Sequence, residues 1–412
     1  MDAMQHRQPV SGARGHGLSL VEFVGLIALM MALTALSVDI MLPALPAIGQ
    51  AMGVDEPNDR QAVIIFYLLG FSLGQLAFGR LSDTWGRKPA LMLGLAIFLA
   101  GSLIASFTTS FMPLLIARGV QGLGAAAPRV IALAIMRDLY AGREMARIMS
   151  FAMSVFIIIP VLAPALGQGL ILVGDWRWTF DALLVVGVIV TLWSALRLPE
   201  TRSEADARAP LSLGASIRMA VETPQTLGYA VATSFMFGCL LSFVSSAQQV
   251  FVDVFELGAY FPVAFGGIAS MMALASFVNA QLVERVGMRR VSHWALTGFI
   301  GISLLVAGAA AFGLATLPVF ATMMGALFFL VGLIMPNFNA LAMEPQGHNA
   351  GMASSLIGFT TTAGGALFGG AVGYLFDGTV VPLAVGFAVL SLLAFAAVAS
   401  VEGRHGLYRP SH

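Results

Sequence analysis

One stretch of this chain, residues 291–343, contains no Asp, Glu, Lys or Arg. A bilayer core about 30 Å thick is crossed by roughly 20 apolar helical residues. The stretch is therefore long enough for two membrane crossings, and the LATLP segment at 314–318 supplies the turn between them. A run of this kind restricts the chain to folds that are embedded in a membrane.

The composition of the whole chain supports the same conclusion. Its 412 residues are 58% hydrophobic and only 10% charged, with a mean hydropathy of +0.89, whereas soluble domains are roughly 25% charged. The 21 basic and 21 acidic residues balance, which excludes the broad basic surface that nucleic-acid binding requires. The single cysteine, Cys239, excludes a disulfide framework and a thiolate metal site.

Motifs of the common enzyme classes are missing from the sequence. It contains no glycine-rich phosphate loop ending in Lys-Ser or Lys-Thr, no His, Cys and carboxylate cluster with metal spacing, and no G-x-S-x-G elbow. We therefore predict that the protein is not an enzyme and that it has no cofactor and no metal. ATP cannot supply energy through this chain alone.

The apolar runs predict an all-α membrane protein with twelve transmembrane helices. Residues 199–223 interrupt the pattern with proline, small polar residues and charges of both signs, as a solvated linker does. We predict an N-terminal six-helix bundle over 1–198, a cytoplasmic linker over 199–223 and a C-terminal six-helix bundle over 224–412.

The first of these spans extends from Val21 to about Gln50. It is too long for the apolar region of a secretory signal, and it contains Asp39 and Pro43. Most of the 21 Lys and Arg residues fall in alternate connections and near the two termini. Because loops rich in Lys and Arg stay in the cytoplasm, we predict a multi-pass plasma membrane protein, in a bacterium the inner membrane, with both termini cytoplasmic.

Two connections in corresponding positions of the two halves resemble each other. GRLSDTWGRKPA, residues 79–90, joins spans two and three, and AQLVERVGMRR, residues 280–290, joins spans eight and nine. When Asp83 is aligned with Glu284, Gly86 falls on Gly287. Internal repeats of this kind are typical of transporters whose binding site lies between the halves near the membrane midplane.

The first connection has the pattern G-x-x-x-D-x-x-G-R-K, formed by Gly79, Asp83, Gly86, Arg87 and Lys88. This pattern closely resembles the loop motif of the major facilitator superfamily, and the resemblance extends over the whole chain. Glycine permits a tight turn, the two bases anchor the cytoplasmic face, and a carboxylate can favour a nearby helix N-terminus. A solvated basic loop would explain the bases but not the aspartate and the glycines.

The resemblance implies that Asp83 is part of a cytoplasmic gate, where it acts as a latch between the halves. We expect its partners to be Arg137, at the inner end of span four, and the start of span eleven near Met352. The resemblance also implies two six-helix bundles around a central cavity, with alternating access by rocking of the halves.

Span one contains Asp39 in the sequence SVDIMLPALPAIG. An acid within a span costs roughly 2.5–3.5 kcal/mol on insertion scales, which makes it a functional candidate. The D-x-x-L-P-A-L-P pattern resembles the Bcr/CflA subfamily of drug:proton antiporters, with Met41 in place of the usual tyrosine. Asp39 could carry the coupled proton, face a cationic substrate, or hydrogen-bond backbone that Pro43 leaves free.

Span four contains Arg118 and Arg129. Arg118, Gln121, Gly122 and Gly124 resemble the R-x-x-Q-G-x-G motif of proton-driven members of the superfamily. A guanidinium near a carboxyl group lowers its pKa, and removal of that charge raises it, so Arg118 could modulate proton binding; alternatively, it pairs with backbone carbonyls. Arg129, three turns later, either lines the cavity and favours anionic or strongly polar ligands, or pairs locally.

Span five contains Pro160, Pro164 and Gly167 in IIIPVLAPALGQG. The prolines remove backbone donors and bend the helix, and the glycine allows close packing. The pattern resembles the proline-glycine motif of the antiporter branch, with Ala163 where that motif usually has glycine. Four neutral polar residues at membrane depth, Gln248, Asn279, Asn337 and Asn339, are interpreted as structural contacts between helices.

Together these features predict a monomeric, proton-coupled antiporter that exports small, partly hydrophobic molecules, with protons and the lipid bilayer as its other partners and no role for nucleic acid. One alternative is a metabolite uptake symporter or facilitator of the same fold. The other is a membrane receptor or scaffold that transports nothing.

Overall fold

A computed structural model describes residues 18–140, 142–202, 214, 218 and 221–406. Nearly all of these residues are helical. The first bundle contains α1 (Leu20–Asp39), α2 (Leu45–Ala51), α3 (Ala62–Trp85), α4 (Arg87–Phe107), α5 (Phe111–Leu139), α6 (Gly142–Val173) and α7 (Arg177–Arg197). The second contains α8 (Pro224–Gln248), α9 (Phe261–Val286), α10 (Met288–Ala311), α11 (Leu317–Met343), α12 (Ala350–Tyr374) and α13 (Val381–Gly406).

Within the described residues, 11 helical segments are long and apolar enough to cross a membrane. The remaining long helix, α6, has 32 residues, and its described apolar stretch is shorter, Ile158–Val173. It occupies the position of the fifth predicted span. Most of the predicted linker and both termini lie outside the described residues, so the domain boundaries and the orientation stay predictions.

The first predicted span is a broken helix. Its long segment, α1, ends at Asp39, a short 3₁₀ turn follows at Leu42–Ala44, and α2 begins at Leu45. Proline has no backbone N–H and cannot continue the hydrogen-bond pattern of a helix, and Pro43 lies within the turn. The break therefore places Asp39, the acid deep in this span, at the C-terminus of α1.

The glycines of span four allow the helices of the first bundle to pack very closely. A Cβ atom built on Gly122 would overlap the backbone carbonyl of Tyr67 on α3, and one built on Gly124 would overlap the backbone of Phe98 on α4. Side chains at these two positions would push α5 away from both neighbours. The R-x-x-Q-G-x-G pattern thus determines how closely α5 packs against its neighbours, in addition to placing Arg118 and Gln121 on this helix.

The two bundles meet along two helix pairs, α3 with α12 and α6 with α9. The first pair is antiparallel: Gln75 on α3 donates to Thr362 of α12 at 3.0 Å and to the Gly358 carbonyl at 3.2 Å. We call the end of the molecule where α3 gives way to α4, at Gly86, the motif end, and the other end the opposite end. Asp39 lies between these ends, in the first bundle.

Candidate functional site

Asp39 is a buried carboxyl group that receives no hydrogen bond from the residues that the structure describes. It is 5% exposed, and no described residue donates a hydrogen bond to its side chain or forms an ion pair with it. A buried carboxylate without hydrogen bonds is energetically costly. Asp39 is therefore best accommodated with a bound proton, or with a cation or water beside it.

Arg118 is completely buried and is held by three helices. Its Nε donates to the Val63 carbonyl of α3 at 3.1 Å, and one Nη donates to the Ser37 carbonyl of α1 at 3.0 Å. The other Nη donates to the side chain of Gln121. Of the two roles considered for Arg118, this geometry matches pairing with backbone carbonyls. One of these carbonyls belongs to Ser37, which precedes Asp39 by two residues on α1.

Tyr67 lies between Arg118 and Phe71, and nothing in the sequence singled it out. Its ring lies 4.5 Å from the Arg118 guanidinium carbon and 6.4 Å from the nearly parallel ring of Phe71. Phe71 in turn lies 5.8 Å from the guanidinium carbon of Arg129, which is half-buried. The available signal was an aromatic pair four residues apart on span two, which cannot be told from ordinary packing.

This arrangement is a row of two cations separated by two stacked rings. Arginine over an aromatic face is stabilised by the ring quadrupole, which allows both guanidinium groups to lie in an apolar layer. Tyr67 itself donates to the Thr34 carbonyl at 3.3 Å. Both rings are buried, with Tyr67 0% and Phe71 1% exposed, so the row is part of the packed core of the first bundle.

The span-five motif packs on the break in span one. A Cβ atom on Gly167 would overlap the carbonyl oxygen of Ile40 and touch the ring of Pro43. The helix α6 continues through Pro160 and Pro164. Gly167 therefore lets α6 approach the residue that follows Asp39.

The loop motif forms a charge cluster at the motif end, with a partner that differs from our expectation. Arg87 pairs with Asp83 at 2.5 Å and with Asp138 at 2.8 Å. Arg137 instead donates to the Leu133 carbonyl in its own helix, at 3.4 Å. Adjacent residues on a helix point about 100° apart, and in this structure Asp138 is the one that faces the motif. The expectation that Asp83 pairs with Arg137 is therefore wrong for this conformation.

A second difference concerns the N-terminus of α4. The carboxylate of Glu200 accepts from the backbone N–H of Arg87 at 2.9 Å and of Lys88 at 3.0 Å. Burial raises the pKa of Glu200, but its backbone hydrogen bonds outweigh this and hold it below the usual range. Glu200, rather than Asp83, supplies the negative charge at this helix start. The ammonium of Lys88 donates to a carbonyl in the last turn of α7.

The start of α12 approaches the loop motif at Gly79, the first glycine of the motif. A Cβ atom on Gly79 would overlap the side-chain oxygen of Ser355, three residues beyond Met352. The Asp83 carboxylate is 46% exposed and pairs within its own half. The latch between the halves thus stays a prediction for Asp83, while Gly79 of the same motif approaches the other half at Ser355.

The second bundle has a related cluster at the motif end. Arg289 pairs with Glu402 at 3.0 Å and with Glu344 at 2.8 Å. The Tyr229 hydroxyl donates to Glu402 at 2.6 Å and lies 3.0 Å from Nε2 of His293. In both bundles an arginine at the start of the third span pairs with an acid at the end of the fourth, Asp138 in the first bundle and Glu344 in the second. The other partner differs: Asp83, from the second span, pairs with Arg87, whereas Glu402, from the sixth, pairs with Arg289. The repeat seen in the sequence therefore extends to one of the two ion pairs in each half.

One family model matches most of the chain. The model described as Major Facilitator Superfamily matches residues 27–370. The uncharacterized MFS-type transporter YdgK of Bacillus subtilis is 30% identical over 391 residues, 92% of this chain and 94% of YdgK. The bicyclomycin resistance protein homolog of Haemophilus influenzae is 29% identical over 388 residues, 90% of this chain and 95% of the relative.

Among solved structures, the xylose transporter XylE from E. coli, in a partially occluded inward-open conformation, is similar in fold. The TM-score is 0.71 at 11% sequence identity, over 93% of this chain and 98% of XylE. At this identity the likeness supports the fold alone.

Proposed function

This chain belongs to the Major Facilitator Superfamily, and from that premise we propose that it is a proton-coupled antiporter that exports small, partly hydrophobic molecules by alternating access. It is a multi-pass membrane protein, and its bacterial relatives favour the inner membrane. The basic loops favour cytoplasmic termini, which would make the motif end cytoplasmic. Export is supported by the likeness to a relative named as a bicyclomycin resistance protein homolog.

The observation that carries the proposal is the buried Asp39 carboxyl, to which no side chain or backbone group in the described part of the chain donates a hydrogen bond. In a dry site the neutral form is favoured, and entry of water or of a cationic group favours the charged form. A proton and a substrate that both need this carboxyl group exclude each other, which is the requirement for exchange. Arg118 of α5 donates to the carbonyl of Ser37, two residues before Asp39 on α1. Held in place by backbone carbonyls, it supplies a fixed positive potential that assists proton release.

The remaining candidates have supporting roles in this proposal. Arg129, half-buried against Phe71, contributes polarity to the wall of the cavity. Gly167 couples α6 to the break beside Asp39. The cluster around Arg87 stabilises the motif end while the halves change position.

The test is export by everted membrane vesicles energised to be acidic inside, with a panel of fluorescent hydrophobic compounds as substrates. Asp39→Asn should abolish the part of transport that depends on the pH gradient. Glu22→Gln is a matched control on the same helix, because Glu22 pairs with Arg197 at the helix start, at 2.6 Å; it should transport at nearly the normal rate. Gradient-driven export that survives Asp39→Asn would overturn the proposal.

The same vesicles separate the alternatives. Dissipation of the proton gradient should stop export by an antiporter, whereas a facilitator would still equilibrate its solute. An uptake symporter would accumulate solute in the other direction, and a receptor or scaffold would move none of the compounds.

A further inference from the structure

Three neutral side chains bridge the two halves at the opposite end of the molecule. Asn58 and Gln61, just before α3, lie in the first half, and Gln249, just after α8, lies in the second. We call these three residues the amide latch. The side chain of Gln249 donates to Asn58 at 2.8 Å and accepts from Gln61 at 2.7 Å.

The amide latch also holds the C-terminus of α12. Asn58 donates to the carbonyls of Tyr374 at 2.9 Å and Phe376 at 2.8 Å, and Gln61 donates to the Gly373 carbonyl at 3.0 Å. The last carbonyls of a helix have no partner within it. Side chains of the first half therefore cap a helix of the second half, and separation of the halves at this end must break all of these hydrogen bonds.

We propose that the amide latch is the gate that closes the extracytoplasmic end of the central cavity. The inference rests on the proposed alternating access and orientation. In each transport cycle the latch opens when the cavity faces outward and re-forms when it faces inward. The conformation described here, with the latch formed, is closed at that end.

Burial and neutrality suit these residues to such a role. Gln61 and Gln249 are 2% and 4% exposed, so their hydrogen bonds are shielded from water while the gate is closed. Amides exchange these partners for water on opening without the large cost of moving a charge. None of the three side chains titrates, unlike the acids of the charge cluster at the motif end; the charged groups nearest to them in the chain are Asp59, Arg60 and Asp253.

The residue beside the latch provides an internal contrast. Gln248 is also buried, at 6% exposed, but it forms no side-chain hydrogen bond with a described residue. The backbone changes from α-helix to a π-helical turn at Gln249, which separates the directions of the two glutamines. Gln248→Ala therefore removes a similar amide one position away and leaves the latch in place.

Accessibility of a thiol below the latch measures the gate without any need for transport. Ser245 lies directly under it, because a Cβ atom on Gly373 would meet both the Ser245 hydroxyl and the Gln61 side chain. The reporter is Ser245→Cys in a Cys239→Ala background, labelled from outside intact cells with a membrane-impermeant maleimide. Asn58→Ala and Gln249→Ala should each increase the labelling rate several-fold, and Gln248→Ala should leave it unchanged.

An unchanged labelling rate in both latch variants would overturn the inference, and so would an equal increase in Gln248→Ala. Labelling that rises only from the cytoplasmic side, in everted vesicles, would contradict the location of the gate. Monodisperse elution of each variant in detergent confirms that the fold is kept. Because the readout is independent of export, loss of the proposed function and loss of this inference are distinguishable.

A further variant makes the gate respond to pH. Asn58→Asp keeps the size and the acceptor but, when ionised, places a carboxylate against the carbonyls of Tyr374 and Phe376. Labelling relative to the parent reporter should then rise with increasing pH and fall when the introduced carboxyl group is protonated and donates again. A ratio that does not change with pH would show that Asn58 does not hold the gate.

Discussion

A Cβ atom on Gly86 would lie 2.7 Å from a carboxylate oxygen of Glu200. The φ angle of Gly86 is +108°, a conformation that side chains rarely allow. Two constraints therefore coincide at this glycine of the loop motif: the turn between α3 and α4, and the space for the acid that caps α4. The loop motif supplies the backbone N–H of Arg87, and its acceptor, Glu200, lies 113 residues further along the chain.

The first prediction concerns this contact. Gly86→Ala should lower the stability of the protein by about 1–3 kcal/mol through backbone strain, and it should also displace Glu200. Gly378→Ala is the matched control, because Gly378 has a φ of +84° but no atom within 4 Å of a Cβ. Thermal unfolding in detergent should show a larger loss for Gly86→Ala; equal losses would mean that the contact with Glu200 contributes nothing.

The second prediction concerns pH. Because the pKa of Glu200 is held below the ordinary glutamate value of 4.5, its ionised form stabilises the folded protein above that value. The contribution is lost as the pH falls through the lowered folded-state pKa. Glu200→Gln should therefore be less stable than the parent near neutral pH, by less than about 1 kcal/mol for so exposed a group. Melting curves of both proteins should converge on acidification; a gap that widens would contradict the sign.

The third prediction concerns Arg118. Lysine keeps the charge but cannot reproduce a planar group with several fixed donors. Arg118→Lys should leave at least one of the acceptors at Val63, Ser37 and Gln121 without a donor, at about 1–3 kcal/mol for each buried group. We expect a lower melting temperature and slower export. A lysine variant with normal stability and slow export would instead indicate that the guanidinium acts directly in proton release.

Sequence reasoning identified the features that follow from the solvent and from local patterns. The apolar runs predicted the spans because lipid permits few alternatives, and Asp39 stood out because an acid within a span is costly. The choice between Arg137 and Asp138 was not accessible, since it depends on the rotation of α5 against its neighbours. Nothing in the sequence distinguishes Gln248 from Gln249, and the structure shows that it is Gln249 whose side chain reaches Asn58 and Gln61.

The fourth prediction concerns Gly167. A methyl group there would overlap the Ile40 carbonyl, and such overpacking typically costs about 1–3 kcal/mol. Because the overlap lies at the break beside Asp39, Gly167→Ala should also slow gradient-driven export. Gly169→Ala is the control two residues away, where a Cβ meets nothing within 4 Å. Vesicle export rates, corrected for the amount of folded protein, should separate the two variants; similar rates would mean that α6 does not act through this contact.

The fifth prediction concerns Asp83, which here pairs with Arg87 while Arg87 keeps a second acid, Asp138. Asp83→Asn removes a charge that is 46% exposed, so folding and orientation should be close to normal. If the aspartate also makes a contact that forms and breaks as the halves rock, initial export rates should fall although the protein amount does not. Labelling of the termini from each side checks orientation in the same preparation. Mislocalised protein would show that the charge serves to anchor the loop, and a normal rate with normal orientation would exclude Asp83 from the gate.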